Sequence, residues 1–247
     1  RSSAASDVYK RQTQEVIIFA SGVLQGCPGS AFLFNNALDP FFRAIDRALK
    51  GSNAGIVRWR ADDIGIADFG SYGGQAVPTP HIDQMAREGL RFTQFYSGCS
   101  VCAPSGSVLM TGHHTGHTSV RGNSGGIPLQ EDEVTVAELL KKEGYTCGGF
   151  GKWGLGDIHT TGVPEKNGFD IFYGYYHQVH AHTYYPEYLI RNSKKIYFEG
   201  NHNGDEGPVH SHYPIFEETV KFIRDNKDKS FFCYVPWTLP HGRYTLP

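Results

Sequence analysis

Residues 99–117 read CSVCAPSGSVLMTGHHTGH and place a cysteine at the expected start of a helix. Pro104 has no N–H group to donate and suits a first helical turn, so we expect Cys102 just before the helix begins. The unpaired N–H groups and the positive end of the helix dipole at such a place favour an oxyanion or a thiolate. Because cysteines are often buried, the alternative is an inert core position for Cys102.

The same segment resembles the signature of the type I sulfatases, in which the cysteine of a C-x-P-S-R sequence is oxidised to formylglycine. The resemblance implies a sulfuric ester hydrolase of the arylsulfatase kind, with Cys102 as the source of the nucleophile. It also implies a formylglycine-generating enzyme as a partner. One position departs from the signature, because Gly106 stands where arginine is expected. The departure predicts weak conversion of Cys102 and weak activity.

Two adjacent carboxylates, Asp62 and Asp63, occur within ADDIGIADFG at residues 61–70. Adjacent carboxylates repel each other, and a divalent cation with oxygen ligands relieves that repulsion. A solvated turn is the alternative for an isolated Asp-Asp pair. In the sulfatases the matching pair ends the first strand and binds calcium. The resemblance therefore implies a calcium site made by Asp62 and Asp63, with Cys102 as a further ligand.

A glycine-rich segment, GKWGLG at residues 151–156, follows a strand-like run. Glycine lets the backbone approach a ligand closely, and Lys152 offers a compact positive charge. A surface lysine in a loop is the alternative. In the sulfatases this lysine contacts sulfate, and many members carry a histidine where this chain has Gly154. The resemblance suggests His180 or His182 as substrate-binding replacements, and a role as ordinary loop histidines is equally compatible with the sequence.

Residues 230–235 form an apolar run after an expected helix at 215–227. The run predicts a buried parallel strand. His241 lies just past the end of that strand, where open α/β sheets bind their ligands. The resemblance implies that His241 and Lys152 are catalytic residues that neutralise charge on the transferring sulfate group.

Helices alternating with short apolar strands predict an α/β fold with a mostly parallel sheet. We expect helices near 80–88, 104–111, 135–143 and 215–227, strands at 145–150 and 230–236, and loops up to about 195. Thr135 and Glu138 predict a capping box, with Gly144 as the stop. The resemblance covers residues 61–247 and implies the alkaline-phosphatase-like fold, truncated at the C-terminus.

The first sixty residues carry a second resemblance. GVLQGCPGSAFLFNNALDPFFRAI at residues 22–45 resembles the palm of reverse transcriptases of non-LTR retroelements, in which an Ala-Asp-Asp sequence binds magnesium. The tripeptide at 61–63 fits both families, so a join inside it is expected. Arg58 and Arg60 alternate with apolar residues, which indicates an antiparallel hairpin with one solvated face. A central parallel strand would bury both arginines at a large cost in free energy.

The sequence thus predicts an extraneous leader at 1–12, a reverse-transcriptase-like fragment at 13–60 and an incomplete sulfatase N-terminal domain at 61–247. A polymerase fragment and a non-catalytic sulfatase relative are the competing functions. The net charge of −2 provides no basic excess for nucleic acid. No apolar run approaches the ~20 residues of a membrane span.

The resemblance implies a sulfate ester of a small molecule, or a sulfated glycan, as the substrate. Sulfatases usually work in secretory, lysosomal or periplasmic compartments, although the sequence shows no signal-peptide pattern. The compartment of this chain and the particular ester therefore stay undetermined by the sequence.

Overall fold

A computed structural model describes residues 55–61, 68–89, 91–92, 96–239 and 241 of the chain. The strands are β1 (Gly55–Ala61), β2 (Thr146–Lys152), β3 (Ile171–Tyr175), β4 (Tyr188–Arg191), β5 (Lys194–Tyr197) and β6 (Phe231–Trp237). The helices are α1 (Pro80–Glu88), α2 (Cys102–Thr111), α3 (Val136–Lys142) and α4 (His212–Asn226). Single 3₁₀ turns lie at Gly70–Tyr72, Pro164–Lys166 and His180–His182. None of the helices in these ranges is long and apolar enough to cross a membrane.

The six strands form one sheet in the order β1-β6-β2-β3-β4-β5. β1, β6, β2 and β3 are parallel to one another, whereas β4 pairs antiparallel with β3, and β5 antiparallel with β4. The α/β class and the mostly parallel sheet are therefore confirmed. The expectation of loops up to about residue 195 is wrong, because β3, β4 and β5 lie in that stretch. These strands have five, four and four residues, too few for alternation to reveal them in the sequence.

Strand β1 leads up to the expected join, because it ends at Ala61, the first residue of the tripeptide that fits both resemblances. It pairs in parallel with β6 along its whole length, from Gly55 opposite Phe231 to Ala61 opposite Trp237. The expected antiparallel hairpin at Arg58 and Arg60 is therefore wrong. β1 is an edge strand among the described ones, whereas the burial argument assumed a central strand. Residues 1–54 lie outside the described residues, and their assignment to another family stays a prediction.

Both faces of the sheet are covered by core side chains. Every residue of β6 is buried, and its side chains alternate between the two faces. Phe231, Cys233 and Val235 pack in one cluster, which includes Phe222 and Ile223 of α4. Phe232 and Tyr234 pack in the other, with Trp153, Phe169 and Phe172. Burial of each large apolar side chain is worth ~1.5–3 kcal/mol, so β6 is the centre of the fold.

Local sequence signals fix the helices with varying accuracy. The capping box of α3 is present, because the Thr135 hydroxyl accepts the N–H of Glu138 while the Glu138 carboxylate accepts the N–H of Thr135. Gly144 follows with a φ of 83°, a left-handed conformation that glycine adopts at little cost. α4 begins at His212 instead of near 215, because Pro214 is tolerated in its first turn.

We predict that deleting residues 1–54 and deleting residues 1–61 have different effects on stability. The shorter deletion keeps β1, whereas the longer one removes its hydrogen bonds to β6. Each such bond contributes about 1 kcal/mol net, so the longer deletion is expected to lower the free energy of unfolding by several kcal/mol. Urea unfolding followed by circular dichroism measures both effects against the intact chain. Equal stability of the two shortened chains would contradict the pairing, and a large loss in the shorter deletion would place residues 1–54 within the domain.

Candidate active site

The carboxyl ends of β6, β2 and β3 meet at one edge of the sheet, because the three strands are neighbours and parallel. Their backbones approach too closely there for side chains. A Cβ atom at Gly151 would lie closer than 3.0 Å to the Pro236 carbonyl, and one at Gly174 closer than 3.0 Å to the Gly151 carbonyl. Both glycines also have positive φ angles, 136° and 151°. Glycine alone satisfies both conditions, so this packing fixes where β2 ends.

Lys152 is the last residue of β2 and is only 2% exposed. The surface-lysine alternative is therefore excluded. Lys152 lies opposite Tyr175 in the β2–β3 pairing. The pairing continues beyond the strands, since Trp153 N–H donates to the Tyr175 carbonyl at 2.8 Å and Gly154 N–H donates to the Tyr176 carbonyl at 3.0 Å. A buried ammonium is stabilised by polar or anionic groups, so Lys152 places a positive charge at this edge of the sheet.

Helix α2 begins at Cys102 with Val101 as its N-cap, two residues earlier than expected. Cys102 therefore lies in the first turn instead of just before the helix. Pro104 is tolerated as the third helical residue because the first-turn N–H groups lack intrahelical acceptors. The Cys102 residue is 6% exposed and takes part in no disulfide. It thus combines the burial of a core position with the electrostatic setting of a helix start.

The first turn of α2 packs against the segment that follows β2. Ala103 belongs to the same core cluster as Trp153 and Leu155. A Cβ atom at Gly154 would lie 3.6 Å from Ala103 Cβ. The structure therefore brings the turn that carries Cys102 to the edge of the sheet where Lys152 ends β2.

Asn123 holds this turn from a distant part of the chain. Its side-chain oxygen Oδ1 accepts the backbone N–H of Ala103 at 2.9 Å. The bond satisfies one of the first-turn donors that a helix cannot satisfy itself. Sequence reasoning missed Asn123 because it lies 20 residues beyond Ala103, where no capping pattern applies.

His182 and His241 lie next to each other in the structure, although they are 59 residues apart in the sequence. Their ring centroids are 4.2 Å apart with planes inclined at 33°. The backbone of His241 is held on both sides, because its N–H donates to the Thr238 carbonyl at 3.0 Å and its carbonyl accepts the Tyr184 hydroxyl. Both imidazoles are half-buried. His182, of the two suggested replacements, is the one that joins His241 beyond the end of β6.

His180 packs elsewhere, although the sequence groups it with His182. Its ring lies 5.1 Å from the Tyr175 ring and 4.6 Å from the Tyr188 ring, centroid to centroid. Burial lowers the pKa of His180 to about 4, and the neighbouring His177 lowers it further. His180 is therefore a neutral ring among aromatic side chains near pH 7, and a substrate-binding role for it stays a prediction.

The two carboxylates of the expected calcium site, Asp62 and Asp63, lie outside the described residues. They follow β1 directly in the sequence. Within the described part of the chain, no group of three or more His, Cys, Asp or Glu side chains is arranged to hold a metal ion. The chemistry of the donor set fits calcium, because carboxylates are the hard oxygen ligands that this ion prefers. A calcium site that includes Cys102 stays a prediction.

A buried carboxylate, Glu133, supports the segment that follows α2. It accepts the N–H of Ser119 at 2.8 Å, the N–H of Gln130 at 2.9 Å and the hydroxyl of Thr118 at 2.9 Å. The Thr118 hydroxyl is also hydrogen-bonded to Ser107 of α2. Burial alone would raise the pKa of Glu133, but these hydrogen bonds lower it below its usual 4.5. Sequence reasoning missed Glu133 because no local sequence pattern distinguishes it from the acidic residues beside it.

We predict that Glu133→Gln destabilises the protein and flattens its acid response. The folded protein holds the pKa of Glu133 below 4.5, so its carboxylate stabilises the fold above that pH and stops doing so as the pH falls through the lower folded value. Loss of a buried, multiply bonded carboxylate costs about 1–3 kcal/mol. Urea unfolding between pH 3 and pH 7, roughly the span over which a carboxyl titrates, measures both effects.

Glu131→Gln is the matched control, since Glu131 is exposed two residues away. That variant is expected to keep the stability of the unchanged protein at neutral pH. Identical behaviour of the Glu133 and Glu131 variants over the acidic range would show that the buried carboxylate does not support this segment.

The sequence matches the sulfatase family model over residues 60–247. Arylsulfatase A of Bos taurus is 43% identical over 122 residues, which cover 46% of this chain and 24% of that protein. Steryl-sulfatase of Rattus norvegicus is 38% identical over 130 residues, covering 46% of this chain and 22% of that protein. The solved PsFucS1 sulfatase from Pseudoalteromonas sp. is 27% identical with a TM-score of 0.63, covering 85% of this chain and 48% of that one.

The chain spans about a quarter of the length of the curated relatives it matches. The family match nevertheless includes α2, the end of β2 and the residues after β6, which meet at one edge of the sheet. The neighbouring solved structure confirms the sulfatase fold, which is the alkaline-phosphatase-like fold expected from the sequence. This chain belongs to the sulfatase family.

Proposed function

We propose that the chain is the part of a sulfuric ester hydrolase that carries the nucleophile and half of the sulfate site. The observation that supports this most is the packing of the Cys102 turn against the residues after Lys152. Membership of the sulfatase family gives this arrangement its chemical meaning, because the same segments carry the family signature.

Charge is the property that the site offers to a sulfate ester. Lys152 binds an ester oxygen as a buried cation, and a charge contact is stronger there than in bulk water. The start of α2 adds the partial positive charge of its N–H groups. His241, stacked on His182, donates a hydrogen bond to the same group. Together these donors offset the negative charge that grows on the transferring group.

Two further components follow from the family. The Cys102 turn fits a modified cysteine, since the thiol is in no disulfide and lies at a helix start. An aldehyde derived from Cys102 would add water to give a hydrate whose hydroxyl is the oxygen nucleophile, and a calcium ion held by Asp62 and Asp63 would polarise the ester oxygens. Lys152 would orient the ester at this buried edge of the sheet.

Gly106 is the observation that favours a second candidate, a non-catalytic sulfate-binding relative. It lies inside α2, is buried and provides neither charge nor a side-chain hydrogen bond. The family signature has arginine at this place. The names of the relatives, arylsulfatase and steryl-sulfatase, make aryl and steryl sulfates the first substrates to test, and a sulfated glycan the next.

We predict that Gly106→Arg raises both the conversion of Cys102 and the hydrolysis of a chromogenic aryl sulfate. Loss of one charge-assisted contact to a transition state costs ~3 kcal/mol, or about a hundredfold in rate, and the arginine restores such a contact. The chain is produced with a formylglycine-generating enzyme and joined to the C-terminal part of a relative. Peptide mass spectrometry distinguishes the thiol from the aldehyde at Cys102, and absorbance gives the rate.

Gly106→Ala is the matched control, because it improves helix propensity by about 1 kcal/mol without adding a charge. It is expected to leave conversion and rate at the level of the glycine form, and Cys102→Ala to abolish the rate. If Cys102 is converted and the aryl sulfate is hydrolysed equally well with Gly106 and with arginine, the prediction that Gly106 weakens both is wrong. Binding of sulfate without turnover in the arginine form would favour the non-catalytic candidate.

A further inference from the structure

Gln178 is a deeply buried side chain that the roles above leave unused. It is 1% exposed, yet neither its amide oxygen nor its amide nitrogen has a hydrogen-bond partner among the residues that the structure describes. Two other buried amides behave differently, since Asn167 and Asn201 each donate to two backbone carbonyls. Buried polar groups nearly always have partners, so an amide kept in this state indicates a group that binds to it.

The amide of Gln178 lies beside the Cys102 turn. The N–H of Gly154 donates to the Tyr176 carbonyl at 3.0 Å. This hydrogen bond holds the segment that leads to Gln178 beside the residues that follow β2. A Cβ atom at Gly154 would lie closer than 3.0 Å to Gln178 Oε1, and 3.6 Å from Ala103 Cβ. The amide group is therefore next to both the segment after Lys152 and the first turn of α2, and a half-turn about its terminal bond, which exchanges the oxygen with the nitrogen, brings its N–H donors to this place.

The geometry of Gly154 explains why a glutamine can act at this place. Gly154 has a φ of 75°, which side chains rarely adopt. Gln178 also occupies the space that a side chain at residue 154 would need. A histidine at this position would require both a different backbone and the removal of Gln178. The two histidines that the sequence suggested as replacements pack on other rings, His180 on Tyr175 and Tyr188 and His182 on His241.

We propose that Gln178 is a sulfate-binding residue, whose amide N–H groups donate to an oxygen of the sulfate ester held between Lys152 and the Cys102 turn. This proposal rests on the proposed function. A primary amide has two donors and no charge, and its protonation does not change over the working range of pH. Gln178 therefore fixes the orientation of the anion and exchanges no proton with it.

A purely structural role for Gln178 and a sulfate-binding role predict different effects of its removal on the stability of the ligand-free protein. Removal of an amide that bonds within the protein lowers the melting temperature of the ligand-free protein. Removal of an amide that bonds only to a ligand leaves the melting temperature of the ligand-free protein unchanged or raises it, because a buried polar group without a hydrogen-bond partner is removed. Gln178→Met keeps the length of the side chain and removes both polar atoms, so it separates the two roles.

The test measures thermal unfolding of the full chain at increasing concentrations of sodium sulfate, with sodium chloride at equal ionic strength as the reference. Sulfate stabilises many proteins through exclusion from their surfaces, so each variant is compared with the unchanged chain at the same concentration. Gln84→Met is the matched control, because it makes the same substitution at an exposed site on α1. Gln178→Asn is the second variant, which keeps an amide but draws it back by one methylene group.

The proposal expects the unchanged chain and Gln84→Met to bind sulfate equally. It expects Gln178→Met to bind sulfate about tenfold more weakly, as for the loss of one hydrogen bond to a charged group, with no fall in the ligand-free melting temperature. Gln178→Asn should bind more weakly than the unchanged chain as well, which keeps the test decisive if the methionine variant fails to fold.

Sulfate binding unchanged in both Gln178 variants, and lost in Lys152→Met, would overturn the role of Gln178 and leave the proposed function standing. A lowered ligand-free melting temperature in both Gln178 variants would assign the amide a structural role and overturn the proposal. Absence of any specific sulfate effect on the unchanged chain would contradict the proposed function itself, and the role of Gln178 with it.

Discussion

The close approach of three backbones at the carboxyl ends of β6, β2 and β3 is the constraint on which the rest of the site depends. Gly151 lies between the Pro236 carbonyl and Gly174, and no side chain fits at either glycine. This packing ends β2 at a buried lysine, Lys152, instead of at an exposed loop. It also aligns the segments after the strands, so that Gly154 contacts the turn of α2. A larger residue at 151 or 174 would separate the strands and disperse the site.

The edge of the sheet gathers groups of complementary chemistry from distant parts of the chain. α2 presents Cys102 in its first turn, with Asn123 satisfying the Ala103 N–H. The tilted rings of His182 and His241 pack against each other beyond β6. A buried cation, a helix start and paired imidazoles share a preference for an anionic ligand. That preference agrees with the chemistry of the sulfatase family, to which the chain belongs.

Sequence reasoning succeeded where signals are local and failed where contacts are distant. The capping box of Thr135 and Glu138 was predictable because its partners are three residues apart. The strands β3, β4 and β5 were missed because they are short. The alternation at Arg58 and Arg60 suggested a hairpin, since sequence alone does not show that β1 is an edge strand of the described sheet. Asn123, Glu133 and Gln178 were missed because each has contacts with residues 14 or more positions away, which leave no pattern in the sequence.

The central claim is that the edge of the sheet at Lys152 binds a sulfate group. A crystal structure of the full chain grown with sulfate tests it most directly, because the sulfur position locates the anion relative to the side chains. The account predicts a sulfate in hydrogen-bond contact with Lys152 Nζ, between the first turn of α2 and His241. A structure in which Lys152 is neutralised by a protein carboxylate, with no anion at this edge, would contradict it.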